Sequence, residues 1–75
     1  MNAIYAFAVK DEDGMIFPGA ATDDMDVLMQ ISQGLHVSFI PAIQKLISLT
    51  KTSSDGRSEV THEAVSLYLQ RLDRV

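Results

Sequence analysis

An acidic run, Asp11-Glu12-Asp13-Gly14, is the first group of side chains along the chain that could do chemistry. Grouped carboxylates suggest a Ca²⁺ site, and a Ca²⁺ loop of the helix-loop-helix type requires Gly at its sixth position and Glu at its twelfth. Counted from Asp11, the fourth position is Gly14 and the twelfth is Thr22, so the spacing does not fit. The run is instead typical of a solvated turn that joins two strands.

Three more carboxylates, Asp23, Asp24 and Asp26, stand just before an apolar stretch. Asp23 and Asp26 would share one side of a helix, and paired carboxylates can serve metal binding or acid–base catalysis. The first turn of a helix also favours acidic residues, because they cap its N–H groups and complement the positive end of its dipole. Capping accounts for the whole group, so we predict neither a metal site nor a catalytic site here.

The two histidines, His36 and His62, are the remaining candidates for acid–base or metal chemistry. Catalysis by a nucleophile and a histidine needs an orienting third group and donors for the developing oxyanion, and the sequence around each histidine offers neither. The chain has no Cys and its 4 Gly residues are scattered singly, so it has neither a zinc pattern nor a phosphate-binding loop. We therefore predict a protein that is not an enzyme and that uses no cofactor or metal.

The opening of the chain predicts a β-hairpin. Residues 3–9 alternate large and small side chains, which is the period of a strand with one buried face. Asp13-Gly14 is a strong turn signal, and residues 15–17 return as a second strand that Pro18-Gly19 would end. A two-residue turn and a three-residue turn with Gly14 as a bulge both fit, and they turn opposite faces of the second strand inward.

Two helices are predicted in the middle of the chain. The first covers residues 23–33, with Thr22 or Asp23 as N-cap and Gly34 as the residue that ends it. The second covers residues 40–50, with Ser38 as its cap.

A third helix is predicted over residues 61–72, because apolar residues follow Val65 at the i, i+3, i+4 and i+7 positions. The segment resembles the reading helix of winged-helix regulators, which implies an alternative function: a small DNA-binding transcriptional regulator that uses the C-terminal helix pair. It departs from that pattern because the intervening positioning helix is missing and Glu63 lies near its start. A net charge of −4 also makes nucleic acid a poor partner, since such binding depends on many Lys and Arg side chains.

These elements predict an α+β fold in the order ββααα: an N-terminal β-hairpin packed on two or three helices, forming a single domain over residues 1–75. The predicted core takes one side of each helix and the inward face of the first strand. Its members are Phe7, Val9, Leu28, Ile31, Ile43, Leu46, Ile47, Val65, Tyr68, Leu69 and Leu72.

Size and composition favour self-association. A chain of 75 residues, of which 47% are apolar, buries only about 60% of the surface that its unfolded form exposes, and small domains often need an added source of stability. We expect a two-fold homodimer, formed through helices or through the edge of the hairpin. Its interface would use apolar residues that lie off the main helical stripes. These residues are Met25, Met29, Leu49 and Leu67.

The leading functional hypothesis is a small non-enzymatic interaction module: a regulator, inhibitor or adaptor, such as an accessory protein of a phage or mobile element, that binds a macromolecular partner. Its predicted contacts are the acidic residues, which suit a basic protein: Asp11, Glu12, Asp13, Asp23, Asp24 and Asp26. A subunit that completes a shared active site is a further alternative. The chain shows neither a signal peptide nor the apolar run of about 20 residues that spans a membrane, so we expect a cytoplasmic protein.

Overall fold

The computed structural model describes residues 3–73, which form a four-stranded antiparallel sheet with two helices packed on one face. In chain order the elements are β1 (Ala3–Lys10), β2 (Ile16–Ala21), α1 (Asp24–Gln33), a short 3₁₀ turn (Val37–Phe39), α2 (Ile40–Thr52), β3 (Arg57–His62) and β4 (Val65–Asp73). The strands lie in the order β2-β1-β4-β3. The first and last strands are therefore neighbours at the centre of the sheet, and both helices belong to the connection between two hairpins.

The predicted ββααα order is wrong in its last third, where a second hairpin replaces the third helix. Residues 61–72 form the end of β3, a two-residue turn and most of β4. β4 pairs with β1 along eight residues, from Ala3↔Asp73 to Lys10↔Ser66. This pairing gives the lone predicted hairpin the further strands that it needs for stability. It also removes the C-terminal helix pair on which the DNA-binding alternative depended.

The β1–β2 turn is the three-residue form. The Asp11 N–H donates to Met15 O at 2.9 Å, and Gly14 N–H donates to Asp11 O at 3.0 Å. Gly14 has a φ of 84°, in the left-handed region that Gly adopts without steric cost. The Asp11 carboxylate accepts two more backbone N–H groups, from Asp13 at 3.0 Å and from Met15 at 2.9 Å. Asp11 is therefore a structural residue of the turn.

β2 continues past Pro18-Gly19 to Ala21, so the prediction that these two residues end the strand is wrong. β2 is an edge strand, and a proline is tolerated there when its nitrogen points away from the neighbouring strand. Gly19 lies opposite Phe7, and a Cβ atom at Gly19 would be 2.3 Å from Cζ of the Phe7 ring. The ring therefore lies across β2 at a position where a larger residue would displace it.

The first two helices are confirmed. Asp23 is the N-cap of α1 and accepts a hydrogen bond from Asp26 N–H at 2.8 Å. Pro41 lies in the first turn of α2, where its missing N–H has no cost. Ser38 is not the cap of α2, because it belongs to the 3₁₀ turn that leads directly into the helix.

The core lies between the helices and the inner face of the sheet. Its buried apolar residues are Tyr5, Val9, Ala21, Val27, Ile31, Phe39, Ile43, Leu46, Leu67 and Leu69. Tyr68 and Leu72, predicted as core residues, are 36% and 44% exposed on the other face of the sheet. The remaining members of the predicted core are buried or packed against it.

The turn between β3 and β4 has a costly backbone conformation. Glu63 and Ala64 have φ values of 50° and 66°, and they connect the paired residues His62 and Val65. A two-residue hairpin turn of this kind favours Asn-Gly, and the left-handed region costs an ordinary residue about 1–2 kcal/mol.

Replacing Ala64 with Gly should therefore raise the free energy of unfolding by about 0.5–1 kcal/mol, because relief of the left-handed strain exceeds the entropy cost of Gly. Urea unfolding followed by circular dichroism measures this change. The matched control is Ala42→Gly in α2, which relieves no strain and should destabilise the protein by about 1 kcal/mol. Destabilisation by both substitutions would contradict the left-handed backbone conformation of Ala64.

Candidate functional site

The two acidic clusters predicted to bind a partner lie at opposite ends of the sheet. The hairpin tip, residues 11–15, precedes the first residue of β2, and Asp23 lies two residues after its last residue. β2 has 6 residues, and a strand of that length separates its two ends by about 17 Å. The clusters do not form one acidic surface.

The acids at the start of α1 are engaged within the fold. Asp23 caps the helix, and the Asp26 carboxylate accepts a hydrogen bond from Thr22 N–H at 2.9 Å. This backbone hydrogen bond holds the pKa of Asp26 below its usual value. These side chains stabilise the helix start, which is the alternative explanation that the sequence offered for them.

Asp24 connects three elements of the fold. Its carboxylate accepts a hydrogen bond from the Tyr5 hydroxyl of β1 at 2.8 Å and forms an ion pair with Lys51 at the end of α2. Partial burial raises the pKa of Asp24, but the hydrogen bonds and the charge of Lys51 outweigh it, so the pKa lies below its ordinary value. The ionised form of Asp24 therefore ties α1 to β1 and α2.

A depressed pKa in the folded state means that Asp24 contributes stability above its unfolded pKa of about 3.9 and loses it as the pH falls through the folded value. We expect Asp24→Asn to destabilise the protein at pH 6, and the difference from the unmodified protein to shrink below about pH 3.9. Urea unfolding at a series of pH values measures this difference. The control Asp13→Asn, at the exposed tip, should change the free energy of unfolding by less than about 0.5 kcal/mol at pH 6. A constant gap for Asp24→Asn would contradict the account.

At the hairpin tip, Glu12 and Asp13 are exposed, whereas Asp11 holds the turn. The tip lies at the same end of the sheet as the β3–β4 turn, because Lys10 pairs with Ser66. The role of the tip acids in partner binding stays a prediction.

The histidines occupy separate structural positions. His36 precedes the 3₁₀ turn and accepts a hydrogen bond from Ser38 N–H through Nδ1 at 3.1 Å. The His62 ring contacts Phe39 edge-on, with 4.7 Å between ring centroids, and its Nε2 lies 3.5 Å from Oε2 of Glu63. Within residues 3–73, no three His, Asp or Glu side chains are arranged to hold a metal ion.

The four residues predicted for a dimer interface do not form one patch. Met25 and Met29 lie one turn apart on the exposed side of α1. Leu49 is 40% exposed on α2, on the side away from α1, because Lys51 two residues later faces Asp24. Leu67 is 0% exposed, so its assignment to an interface is wrong: strand geometry turns it into the core.

The largest feature that sequence reasoning missed is the face of the sheet that no helix of the described chain covers. Cross-strand partners share a face, so the pairings of Ala8 with Pro18 and Tyr68 identify this side. We call it the open face. Its residues are Ile4, Ala6, Ala8, Lys10, Ile16, Pro18, Ala20, Arg57, Glu59, Thr61, Ser66, Tyr68, Gln70 and Leu72.

On the open face, β1 and β2 are mainly apolar and the edge strand β3 is polar. β4 alternates apolar Tyr68 and Leu72 with polar Ser66 and Gln70. Ile16 is 61% exposed at one side of the face, and Tyr68 and Leu72 stand on β4. Between them β1 contributes the small side chains Ala6 and Ala8, which leave a shallow groove. The groove has a volume of about 360 Å³ and extends to Tyr68, Gln70 and Arg57. The alternation of Ala with larger residues in β1 was the sequence signal for this surface.

A second groove, of about 450 Å³, lies on the helix side between the β1–β2 hairpin and the end of α1. Phe7, Phe17 and Ile31 line it, with Asp11 and Gln30 as polar neighbours. Small-molecule sites orient their ligands with several converging polar groups. Here Asp11 is occupied by the turn and Gln30 by the backbone of β2, so this groove has no such set.

Within residues 3–73, no helix combines the length and apolar character needed to cross a membrane. The chain matches no known protein family, no curated protein and no solved structure. The arrangement of its own residues is therefore the basis for any statement about function.

Proposed function

We propose that this protein is a non-enzymatic protein-interaction module, a regulator, inhibitor or adaptor, that works as a homodimer and binds another protein through the open face. The observation that supports this most is the apolar character of that face. An antiparallel sheet with helices on one side normally alternates apolar residues toward the core with polar residues toward water. Here strands β2, β1 and β4 present apolar side chains on both sides.

The size of the apolar area suits a binding surface. The three strands lie side by side over the six residues that β1 pairs with β2. Spaced about 4.8 Å apart, with about 3.3 Å for each residue, they cover roughly 14 by 20 Å. The largest apolar patch on a typical monomeric protein covers about 300–600 Å² and is often functional. The exposed aromatic residue Tyr68, at the centre of β4, is of the type that contributes most to protein interfaces.

The shape of the surface indicates which kind of structural element a partner would present to it. The groove runs from Ala6 and Ala8 on β1 past Tyr68 on β4 to Arg57 on β3, so it accepts a convex, mainly apolar element. The apolar stripe of an amphipathic helix has this form. The acids Glu12 and Asp13 at the hairpin tip would add contacts to a basic region of the same partner, which affects the association rate more than the affinity.

A charge placed in the groove tests this proposal. Ala8→Glu introduces a carboxylate that points to solvent in the free protein and into the interface in the complex, where an unpaired buried charge is costly. The matched control is Gln44→Glu, which adds the same side chain at an exposed position of α2. Capture from a lysate with the immobilised protein, followed by mass spectrometry, compares the three forms.

We expect at least one captured protein to be retained equally by the unmodified protein and by Gln44→Glu. Ala8→Glu should not retain it. Circular dichroism should show the same fold for all three forms. Equal retention by Ala8→Glu would contradict the open face as the binding surface.

A further inference from the structure

The two edges of the sheet differ in how their outward backbone groups are used. On β2, Pro18 has no N–H to offer, and the carbonyl of Ala20 accepts a hydrogen bond from Nε2 of Gln30 at 2.9 Å. Proline and side-chain cover are common means of preventing an edge strand from pairing with another chain. The β2 edge is therefore protected against pairing with another chain.

The β3 edge contains no proline, and side-chain cover reaches only its first residue. Arg71 N–H donates to Gly56 O at 2.8 Å and His62 pairs with Val65, so the even-numbered residues of β3 bond to β4. The backbone groups of Arg57, Glu59 and Thr61 therefore point outward. One of them, Arg57 N–H, donates to Oδ1 of Asp55 at 3.1 Å. An edge strand with its other groups directed to solvent is a template for pairing.

We infer that β3 pairs antiparallel with β3 of a second copy of this chain, about a two-fold axis at Ser58, so that Arg57 faces Glu59 of the second copy. The inference rests on the homodimer part of the proposed function and assigns its interface. The N–H of Glu59 would donate to the carbonyl of Arg57 of the second copy, twice by symmetry. Arg57 N–H would exchange its bond to Asp55 for the carbonyl of Glu59 of the second copy.

Charge favours this register over the two registers next to it. Two-fold pairing centred on Arg57 places two guanidinium groups opposite each other, and pairing centred on Glu59 places two carboxylates together. Pairing centred on Ser58 places Arg57 and Glu59 opposite each other at two symmetric positions. Opposite charges directly across a strand pair stabilise it, and like charges destabilise it.

The helices fit the same axis. α2 packs on both β3 and β4. With strands about 4.8 Å apart, a helix above the β3–β4 boundary would lie about 10 Å from its symmetry mate, which is the spacing of packed helices. The hydroxyl of Ser58 donates to Leu46 O at 2.9 Å, so the axis passes close to this turn of α2. Leu49 lies on this turn, on the side away from α1, and would meet Leu49 of the second copy.

The resulting dimer has a continuous eight-stranded sheet. Both helix layers lie on one side of it. The two open faces lie on the other side, where the two polar β3 strands separate their apolar areas. The dimer leaves each open face available to a partner. Of the four residues that the sequence suggested for an interface, Leu49 is the one that lies in the proposed dimer interface.

A charge exchange on the full chain tests the register. Sedimentation velocity over micromolar concentrations gives the dimer dissociation constant for the unmodified protein, Arg57→Glu, Glu59→Arg and the double variant R57E/E59R. Each single variant places like charges across the axis and should weaken dimerisation by about tenfold or more. The double variant restores opposite charges and should return to within about threefold of the unmodified protein. Glu12→Arg, the matched control for Glu59→Arg, should leave the constant unchanged.

Dimers that persist unchanged in both single variants would overturn the β3 interface and leave the homodimer proposal intact. A double variant as weak as the single ones would overturn the register. A monomer at every concentration would overturn the homodimer and this inference together, whereas partner capture through Ala8 tests the open face independently. Leu49→Asp, which leaves β3 unchanged, should also weaken the dimer, and an unaffected dimer would exclude the helix contact.

Discussion

Replacing Phe39 with Ala should lower the free energy of unfolding by about 3–5 kcal/mol, the usual cost of removing a buried phenyl ring. Phe39 is 6% exposed at the junction of the 3₁₀ turn and α2, and its ring contacts His62 of β3. The side chain therefore connects the helix layer to the second hairpin. Its loss removes much of the stability of a small domain, which totals about 5–15 kcal/mol.

Urea unfolding followed by circular dichroism measures this loss. Phe39→Leu keeps most of the apolar volume and should cost clearly less than Phe39→Ala. Val37→Ala, at an exposed position of the same turn, is the control and should change stability by less than about 0.5 kcal/mol. Equal small effects at Phe39 and Val37 would show that this turn does not pack on β3.

Leu67→Ala should cost about 2–5 kcal/mol, because Leu67 is fully buried in the central strand β4. The matched comparison is Met25→Ala, at a residue that is 65% exposed on α1 and should be nearly neutral. The same unfolding measurement distinguishes the two variants. An unchanged free energy of unfolding for Leu67→Ala would show that this side chain is exposed, as the predicted helix required.

The first two-thirds of the fold could be predicted from local signals. Asp13-Gly14 specified a turn and Asp23 capped α1, because each satisfies a backbone requirement that does not depend on distant contacts. α1 also ends at Gly34 as predicted, although the φ of −99° at Gly34 is one that any residue adopts. The alternation in β1 also identified its two faces. The choice between two hairpin turns needed the register, which the hydrogen bonds of Asp11 provide.

The last third could not be predicted in the same way, because its apolar pattern fits two periods. Val65, Leu69 and Leu72 have helical spacing, whereas Val65, Leu67 and Leu69 have strand spacing, and short apolar segments do not distinguish them. The turn at Glu63 and Ala64 contains neither Asn nor Gly, so no local signal marked it. Pairing with β1, sixty residues away in the sequence, decided the structure.

The candidate site depended on the same long-range pairing. The sequence identified acidic and apolar residues by type, but the position of β4 determines that Tyr68 and Leu72 leave the core and that Leu67 enters it. Ala6 and Ala8 became the floor of a groove because β4 stands beside them. The two acidic clusters were separated by the length of β2.

The central claim is that β4 lies beside β1 and that their shared outer side is uncovered, and a nuclear Overhauser spectrum of the labelled protein tests it most directly. Phe7↔Leu69 and Val9↔Leu67 are antiparallel partners whose Cα atoms lie about 4.5 Å apart in pairs of this type, so their Hα protons should give strong cross-peaks. The methyl protons of Ala8 should show contacts to Tyr68 and none to α1 or α2. Helical i, i+3 cross-peaks through residues 61–72, without the Phe7–Leu69 peak, would contradict the fold, the open face and the β3 interface together.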